Sequence, residues 1–390
     1  MNQTPTIMRG RRPSSPRKTP IRTMRGLLFV CGVVATTLAG AQQQPVSIAD
    51  ERELDITYVD LWTSGEYRDA LTALQREIAA TEPLISPQQR YDRAQLLFAT
   101  GDVDAAIEDM DWFANRQPQP SYSLELALMY QYRGMPLLYE RWISRAAQQT
   151  SSNYLYRRRT ENIAAIGRIA ELVGTNPKTV LSAYFNPAFE QYRDIGAAAY
   201  VAAGDLAFRN SGFDIAEEYY LKGLELEPEN QQVLAGLLET NARSGDERAE
   251  GMLQRLESIN PNHPRLDAVK VERLLEGLKL EDARAIIEKQ LAINPVSHRF
   301  RSLKAAALFL ANDLSGMNDV IEAVLDYCPV RSEVYRTVGR FASRHYRFKQ
   351  GVEFQEKALE LDAKDYEARA LYTLDLMRLG RELEGKAELE

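Results

Sequence analysis

The segment Tyr200–Asn230, YVAAGDLAFRNSGFDIAEEYYLKGLELEPEN, decides the fold. Tyr200, Ala203, Gly204 and Ala207 fall at i, i+3, i+4 and i+7, the spacing of one face of a helix. Gly212 follows as a residue that tolerates positive φ and closes that helix. Asp214 is placed to cap a second helix, whose buried stripe is Ala216, Tyr220, Gly223 and Leu224. Pro228 ends it, because proline cannot continue the hydrogen-bond ladder. Gly204 and Ala216 are small where two helix axes must come close.

The pattern recurs. Pro228, Pro261, Pro295 and Pro329 stand 33, 34 and 34 residues apart, and Ala216, Ala249 and Ala283 each lie twelve residues before a proline. The turn with the start of the second helix returns as GEYRDAL at Gly65, GDVDAAI at Gly101, SGDERAE at Gly245, LKLEDAR at Ala283 and FKQGVEF at Gly351. Pro118 closes a repeat that starts near Arg90, and LELDA ends at Ala363, with alanine in the proline place. A sustained period of 34 marks an all-α solenoid of stacked antiparallel helix pairs. About eight or nine repeats fit between Asp50 and Glu390.

The segment at Tyr200 resembles the tetratricopeptide repeat (TPR). The pattern places of that family are held here by Tyr200, Gly204, Phe208, Ala216, Tyr220 and Pro228. The resemblance implies a right-handed superhelix whose first helices line a concave face, and a function in holding a protein or peptide there. The Lys and Asn clamp by which some TPR domains grip C-terminal carboxylates is not matched, which argues against chaperone-tail binding.

The array divides into 50–150 and 195–390, separated by a joint at 151–194. That joint carries Asn176-Pro177, Asn186-Pro187 and Tyr184-Phe185, and Asn-Pro pairs break helices. It reads as a helix over Tyr154–Val173, a short helix after Pro177, and a loop that shifts the register. It is either a plain connection or an insertion that fills the groove.

Residues 1–25 hold Arg9, Arg11, Arg12, Arg17, Lys18, Arg22 and Arg25 and no acid. Leu27–Leu38 is apolar or small, and Ala39-Gly40-Ala41 is a small-x-small site before Gln42. This reads as a secretory signal peptide over 1–41, with ordinary proportions if translation starts at Met24. The apolar run is short for a membrane span. The expected location is periplasmic or extracellular. Without the leader, 41 basic and 55 acidic residues remain, a net charge near −14. Such a surface disfavours nucleic acid. Cys31 leaves with the leader, so Cys328 cannot form an intramolecular disulfide and is expected to be buried.

Chemistry is sparse. His263, His298 and His345 are the only histidines, and none forms an HExxH pair. No phosphate-binding glycine loop and no G-x-S-x-G elbow occur. Neither a catalytic site nor a metal or cofactor is expected within residues 42–390.

The candidate ligand residues are Arg336, Arg340 and Arg344, at i, i+4 and i+8 on one first helix, followed by Arg347. Tyr335 and Gly339 take the packing places of that helix, which turns the arginines toward the concave side. Three guanidiniums in line repel unless acids or an anionic ligand face them. They read either as a carboxylate cradle or as a face paired with Asp and Glu of neighbouring repeats. Arg157–Arg159 is a second basic cluster. Tyr130, Tyr132, Tyr154 and Tyr156 crowd the region before and within the joint, as packing knobs or as a stacking surface.

The last repeat turns at Gly380, and the sequence ends at Glu390 before its second helix would finish. Two function classes follow. One is a non-catalytic exported TPR scaffold. The other is the N-terminal TPR arm of a larger secreted enzyme, a gluzincin-like zinc metalloprotease whose catalytic domain would lie beyond Glu390.

Overall fold

The computed structural model describes residues 56–81, 85–152, 160–191 and 195–388, all within one compact unit, Glu53–Glu390. The leader with Met24 and Gln42, Arg157–Arg159, Tyr154 and Tyr156 lie outside the described residues.

Among the described residues there is no strand, and the helices come in ten successive pairs. They are α1 (Tyr58–Thr63) with α2 (Tyr67–Thr81), α3 (Pro87–Thr100) with α4 (Val103–Arg116), and α5 (Pro120–Tyr132) with α6 (Pro136–Ser152). Then α7 (Thr160–Leu172) meets a broken partner: α8 (Pro177–Val180), a π-helical turn at Leu181–Phe185 and α9 (Asn186–Gln191). The series continues with α10 (Ala197–Arg209) and α11 (Phe213–Leu226), α12 (Gln231–Ser244) and α13 (Arg248–Ile259), and α14 (Pro264–Glu276) and α15 (Leu280–Ile293). It ends with α16 (His298–Leu310) and α17 (Leu314–Tyr327), α18 (Glu333–Arg344) and α19 (Phe348–Leu361), and α20 (Tyr366–Arg378) and α21 (Glu382–Ala387). The described residues thus form a TPR-type solenoid of ten stacked helix pairs, more than the eight or nine the sequence suggests. The difference lies partly at 151–194, where α7 packs between α5 and α10 as a first helix does, so the first-helix row runs on through the joint.

Two backbone positions set the repeat. Between the helices of each pair one residue is left-handed: Gly65, Gly101, Gly134, Gly174, Ser211, Gly245, Leu278, Asn312, Tyr346 and Gly380. In the repeat at Tyr200 this corrects the sequence reading. Ser211 takes the positive φ of 60°, and Gly212 is an ordinary N-cap with φ −85°. Helix α11 begins at Phe213, so Asp214 sits in its first turn, favourable to the helix dipole, and makes no cap hydrogen bond. The second position is the C-cap of the second helix. Gln117, Glu227, Asn260, Asn294, Cys328 and Asp362 all have φ between −123° and −144° and ψ between 85° and 96°. All but Asp362 precede a proline. A following proline ring excludes the helical region, so the local chain forces the exit.

Packing within a pair is ring against glycine. Tyr220 is fully buried, and a Cβ on Gly204 or on Gly236 of the next first helix would lie 2.6 or 2.4 Å from its ring. In the irregular repeat Phe185 does the same: a Cβ on Gly167 would lie 2.2 Å from it. The Phe189 ring stacks on Tyr200 at 4.1 Å, so the joint's aromatics serve as knobs. Ala216, Ala249 and Ala283 are buried at the close contacts; Gly351 is buried beside Asp375 and Ser343, while Pro228, Pro261, Pro295 and Pro329 are exposed in the loops.

The solenoid touches itself. The turns at Gly65, Gly101 and Gly134 lie on the exit loops at Asn260–Asn262, Asn294–Val296 and Cys328–Pro329. A Cβ on Gly65 would stand 2.1 Å from Asn260 Oδ1, one on Gly101 2.7 Å from Asn294 Oδ1, and one on Gly134 2.9 Å from the Cys328 Cα. Hydrogen bonds cross the same line. Asn260 Nδ2 donates to the Tyr67 hydroxyl (3.1 Å), Asn294 Nδ2 to the Phe98 carbonyl (3.3 Å), Arg68 Nε to the Ile293 carbonyl (3.1 Å) and Arg133 Nη1 to the Tyr327 carbonyl (2.9 Å). The partners are 193 to 225 residues apart in sequence, so the superhelix completes a turn in about six repeats and closes on itself along a seam. The long open surface expected from the repeat pattern is shortened by this closure.

Leu278 tests the left-handed turn. It holds φ 55° and is 55% exposed, so its side chain adds strain and little burial. A left-handed residue with a Cβ costs about 1–2 kcal/mol, and glycine's extra unfolded entropy costs about 0.5–1. Leu278→Gly is expected to raise stability in denaturant unfolding by about 0.5–1 kcal/mol; a destabilised variant would contradict the turn geometry.

Candidate functional site on the inner face

First helices pack directly on one another from α10 to α20, and on one side their side chains reach two repeats along. His345 Nε2 donates to the Leu275 carbonyl at 3.1 Å, and Arg340 and Arg344 pair with Glu272 and Glu276. Such reach is possible only on the inside of a curve, so this side is the concave face. Here lies a cavity of about 220 Å³ lined by residues of α10, α12, α14, α16, α18 and α20.

The three predicted arginines do line this cavity. Tyr335 and Gly339 occupy the packing side of α18 as their spacing implies: Tyr335 faces Phe354, and a Cβ on Gly339 would meet Gln355 and Phe354. Each arginine has an acid partner. Arg336 Nη1 is 2.7 Å from Asp365 and its Nε 3.4 Å from Glu367. Arg340, buried, is 3.1 Å from Glu272, and Arg344 is ion-paired with Glu276. The arginines thus belong to a paired face, with the acids on other repeats. Arg347 lies apart, over the Phe309 ring.

Sequence reasoning missed the larger network. The Tyr220 hydroxyl donates to Asp205 (2.6 Å), Arg265 lies 3.4 Å from Asp205 and 2.6 Å from Glu239, and Arg299 lies 2.7 Å from Glu239 and 3.6 Å from Glu272. With Arg340 this makes an alternating ladder across α10, α12, α14, α16 and α18. Burial alone would raise the Glu239 carboxyl, but Arg265 and Arg299 outweigh it and hold it at about 2. For Glu272, burial is likewise outweighed by Arg340, Arg299 and Arg243, and its pKa is lowered. The only sequence signal was charge at a first-helix position recurring at the repeat spacing, as Glu239 and Glu272 do.

The balance fails at one edge. Burial lowers the Arg344 pKa; Glu272 opposes this most, Arg243 adds to the lowering, and Glu367 opposes it least. Arg243 itself has only a 3.7 Å contact with Glu367, and both arginines are about one-third exposed. This edge carries two cations with spare donors at the mouth of the cavity.

Elsewhere the candidate groups are structural. Cys328 is a buried free thiol on the seam. Tyr132 donates to the Val296 carbonyl at 2.9 Å, and Tyr130 is half-buried in the N-terminal core. No cluster of ligands able to hold a metal ion occurs among the described residues, and no described helix is long and apolar enough to cross a membrane.

Removing the Glu239 carboxylate leaves two guanidiniums facing each other. Glu239→Ala is expected to cost about 3–5 kcal/mol in denaturant unfolding, the range for breaking a buried pair. Because Glu239 has a depressed pKa, its contribution is complete above about 4.5 and fades only as pH falls toward 2.

Residues 59–111 match the tetratricopeptide repeat family model. No curated protein matches the sequence. The chain is similar in structure to the APC/C hetero-tetramer Cut9–Hcn1, with a TM-score of 0.51 at 12% identity over 85% of this chain and 65% of that one. It is also similar to a tetratricopeptide repeat protein from Parabacteroides merdae ATCC 43184 (TM-score 0.44, 14% identity, 66% of this chain and 98% of that one). A third likeness is to the human IFIT1 dimer with m7Gppp-AAAA (TM-score 0.43, 14% identity, 74% of this chain and 71% of that one). With its left-handed turns, proline exits and ring-against-glycine pairs, the chain folds as a solenoid of the tetratricopeptide-repeat type, and residues 59–111 match that family's model.

Proposed function

We propose that this chain is a non-catalytic exported scaffold that binds a protein or peptide partner on its inner face, through carboxylates that partner carries. The observation behind this reading is the edge at Arg243 and Arg344. A TPR fold supports a role in protein interaction. Most of the inner face is already paired, so a ligand gains little by replacing Glu239 or Glu272. At the edge an incoming carboxylate meets two cations whose donors are incompletely used, beside a cavity that can take a side chain or chain end.

The test uses a fluorescent hexaglutamate peptide as probe. The double variant Arg243→Glu/Arg344→Glu should weaken its binding by at least about tenfold, and wild-type binding should fall as added salt screens the charges. The melt by circular dichroism should shift little, since both side chains sit at the rim. Equal affinity for the two proteins would remove the proposed site. Arg336→Glu is a poor substitute, because it would also strand the buried Asp365.

Export is part of the same proposal and has its own test. Protein recovered from the envelope fraction should begin at Gln42 by N-terminal sequencing. An intact Met1 or Met24 terminus in the cytosol would contradict it.

A further inference from the structure

We propose that His298 makes the seam an acid-opened clasp, so that lowering pH separates successive superhelical turns before the helices unfold. His298 opens α16, directly after the Asn294–Val296 exit loop, and is buried on the seam. Its Nε2–H donates to the Tyr132 carbonyl at 2.8 Å, and its own backbone N–H donates to the Tyr132 hydroxyl at 3.2 Å. The Tyr132 hydroxyl donates in turn to the Val296 carbonyl at 2.9 Å. One imidazole and one phenol thus tie the end of α5 to the start of α16, and their rings lie 4.1 Å apart. Three hydrogen bonds that involve a side chain hold the seam at this place.

The other ring nitrogen, Nδ1, is buried with no hydrogen-bond partner. A proton arriving there would find no acceptor. Neutral rings face it, and the charges beyond them are mixed: Arg331 lies 3.9 Å from Glu333, and Arg133 lies 3.1 Å from Asp104. Tyr132 faces the ring from α5 and Tyr327 from α17, at 5.7 Å. Arg331, from the loop after α17, and Arg301, on α16 itself, act on it as cations, and Arg133 covers the far side of Tyr327. Glu333 acts on Tyr132, but no carboxylate is hydrogen-bonded to the imidazole. An imidazolium formed in this place has an unsatisfied N–H and like charges beside it. Breaking the seam returns it to water.

The titration agrees with the geometry. Burial, then Arg331, push His298 down to about 4 against the opposing bond to Tyr132. The folded pKa is lowered, so the stabilisation of the closed seam is complete above about 6.5 and is lost as pH falls toward 4. The other buried histidine, His263, is also held at about 4 by burial and Arg265. Its charged neighbours are Arg265, Glu239 and Arg299, so its protonation acts on the inner-face ladder.

Cys328 reports on the seam, because it is fully buried against Gly134. In the full chain carrying Cys31→Ser it is the sole thiol. Its reaction with 4,4′-dithiodipyridine is followed from pH 7 to 4.5, normalised to a small thiol at each pH, alongside helix content by circular dichroism. The normalised rate should rise about 10–100-fold by pH 4.5 while helix content holds, the coupling two pH units below the free histidine pKa can supply. His298→Gln keeps a donor near Nε2 and cannot titrate; it should abolish the rise, whereas His263→Gln should retain it. The proposal is overturned if Cys328 stays protected at pH 4.5, if its exposure coincides with loss of helix, or if His298→Gln accelerates as the wild type does. Should His298→Gln fail to fold, the wild-type comparison of thiol exposure with helix loss still decides.

Discussion

The contact between left-handed turns and proline exit loops, one superhelical turn apart, is the constraint on which the rest of this structure depends. Each repeat needs one residue with positive φ and one exit cap with ψ near 90°, both imposed by local sterics. The turn lies at one end of an antiparallel helix pair and the exit cap at the other, and both recur with the period of the solenoid. When the superhelix completes a turn, three turns meet three exit loops in register. Asn260 and Asn294 show the register chemically. In each, Oδ1 accepts from the backbone N–H two residues on, and Nδ2 reaches across to the other turn. Cys328 stands at the third place, where Gly134 comes close to its backbone. The glycines at these turns therefore answer two demands, a left-handed backbone and the absence of a Cβ. The equivalent turns that face no loop tolerate Ser211, Leu278, Asn312 and Tyr346.

Closure explains the inner face. A superhelix that turns in about six repeats brings first helices two repeats apart within side-chain reach. Carboxylates and guanidiniums then meet across helices and neutralise one another, because an isolated buried charge costs several kcal/mol. A wider coil would leave the same residues in water, where such pairs contribute about 0–1 kcal/mol. The ladder from Asp205 to Arg340 is thus a consequence of curvature as much as of composition.

Much of the fold was legible because its causes are local. Proline at a fixed interval, with a small residue twelve places before it, states where helices end and where axes approach. The face carrying Arg336, Arg340 and Arg344 follows from helical spacing alone. What was not legible depends on rotation accumulated over many repeats. Nothing in the sequence near Arg340 points to Glu272, and nothing near Gly101 points to Asn294. The left-handed place was misassigned to Gly212 because glycine is the usual occupant; Ser211 carries no such signature. The joint was read as a break because Asn-Pro pairs end helices, yet Asn176-Pro177 opens α8, the backbone stays helical through Asn186-Pro187, and Phe185 fills the glycine notch at Gly167 as Tyr220 fills that at Gly204. An aromatic one repeat before Tyr219 and Tyr220 was the available signal.

A double-mutant cycle between Gly101 and Asn294 tests the closed superhelix most directly. Gly101→Ala places a Cβ against Asn294 Oδ1 as well as straining a φ of 93°. Asn294→Ala removes the obstructing atom and leaves the strain. If the turns meet, Gly101→Ala should destabilise the wild type more than it destabilises the Asn294→Ala background, with a coupling of about 0.5–3 kcal/mol, the range for residues in contact. Additive effects, within about 0.3–0.5 kcal/mol, would mean that the two turns do not touch and that the solenoid is open.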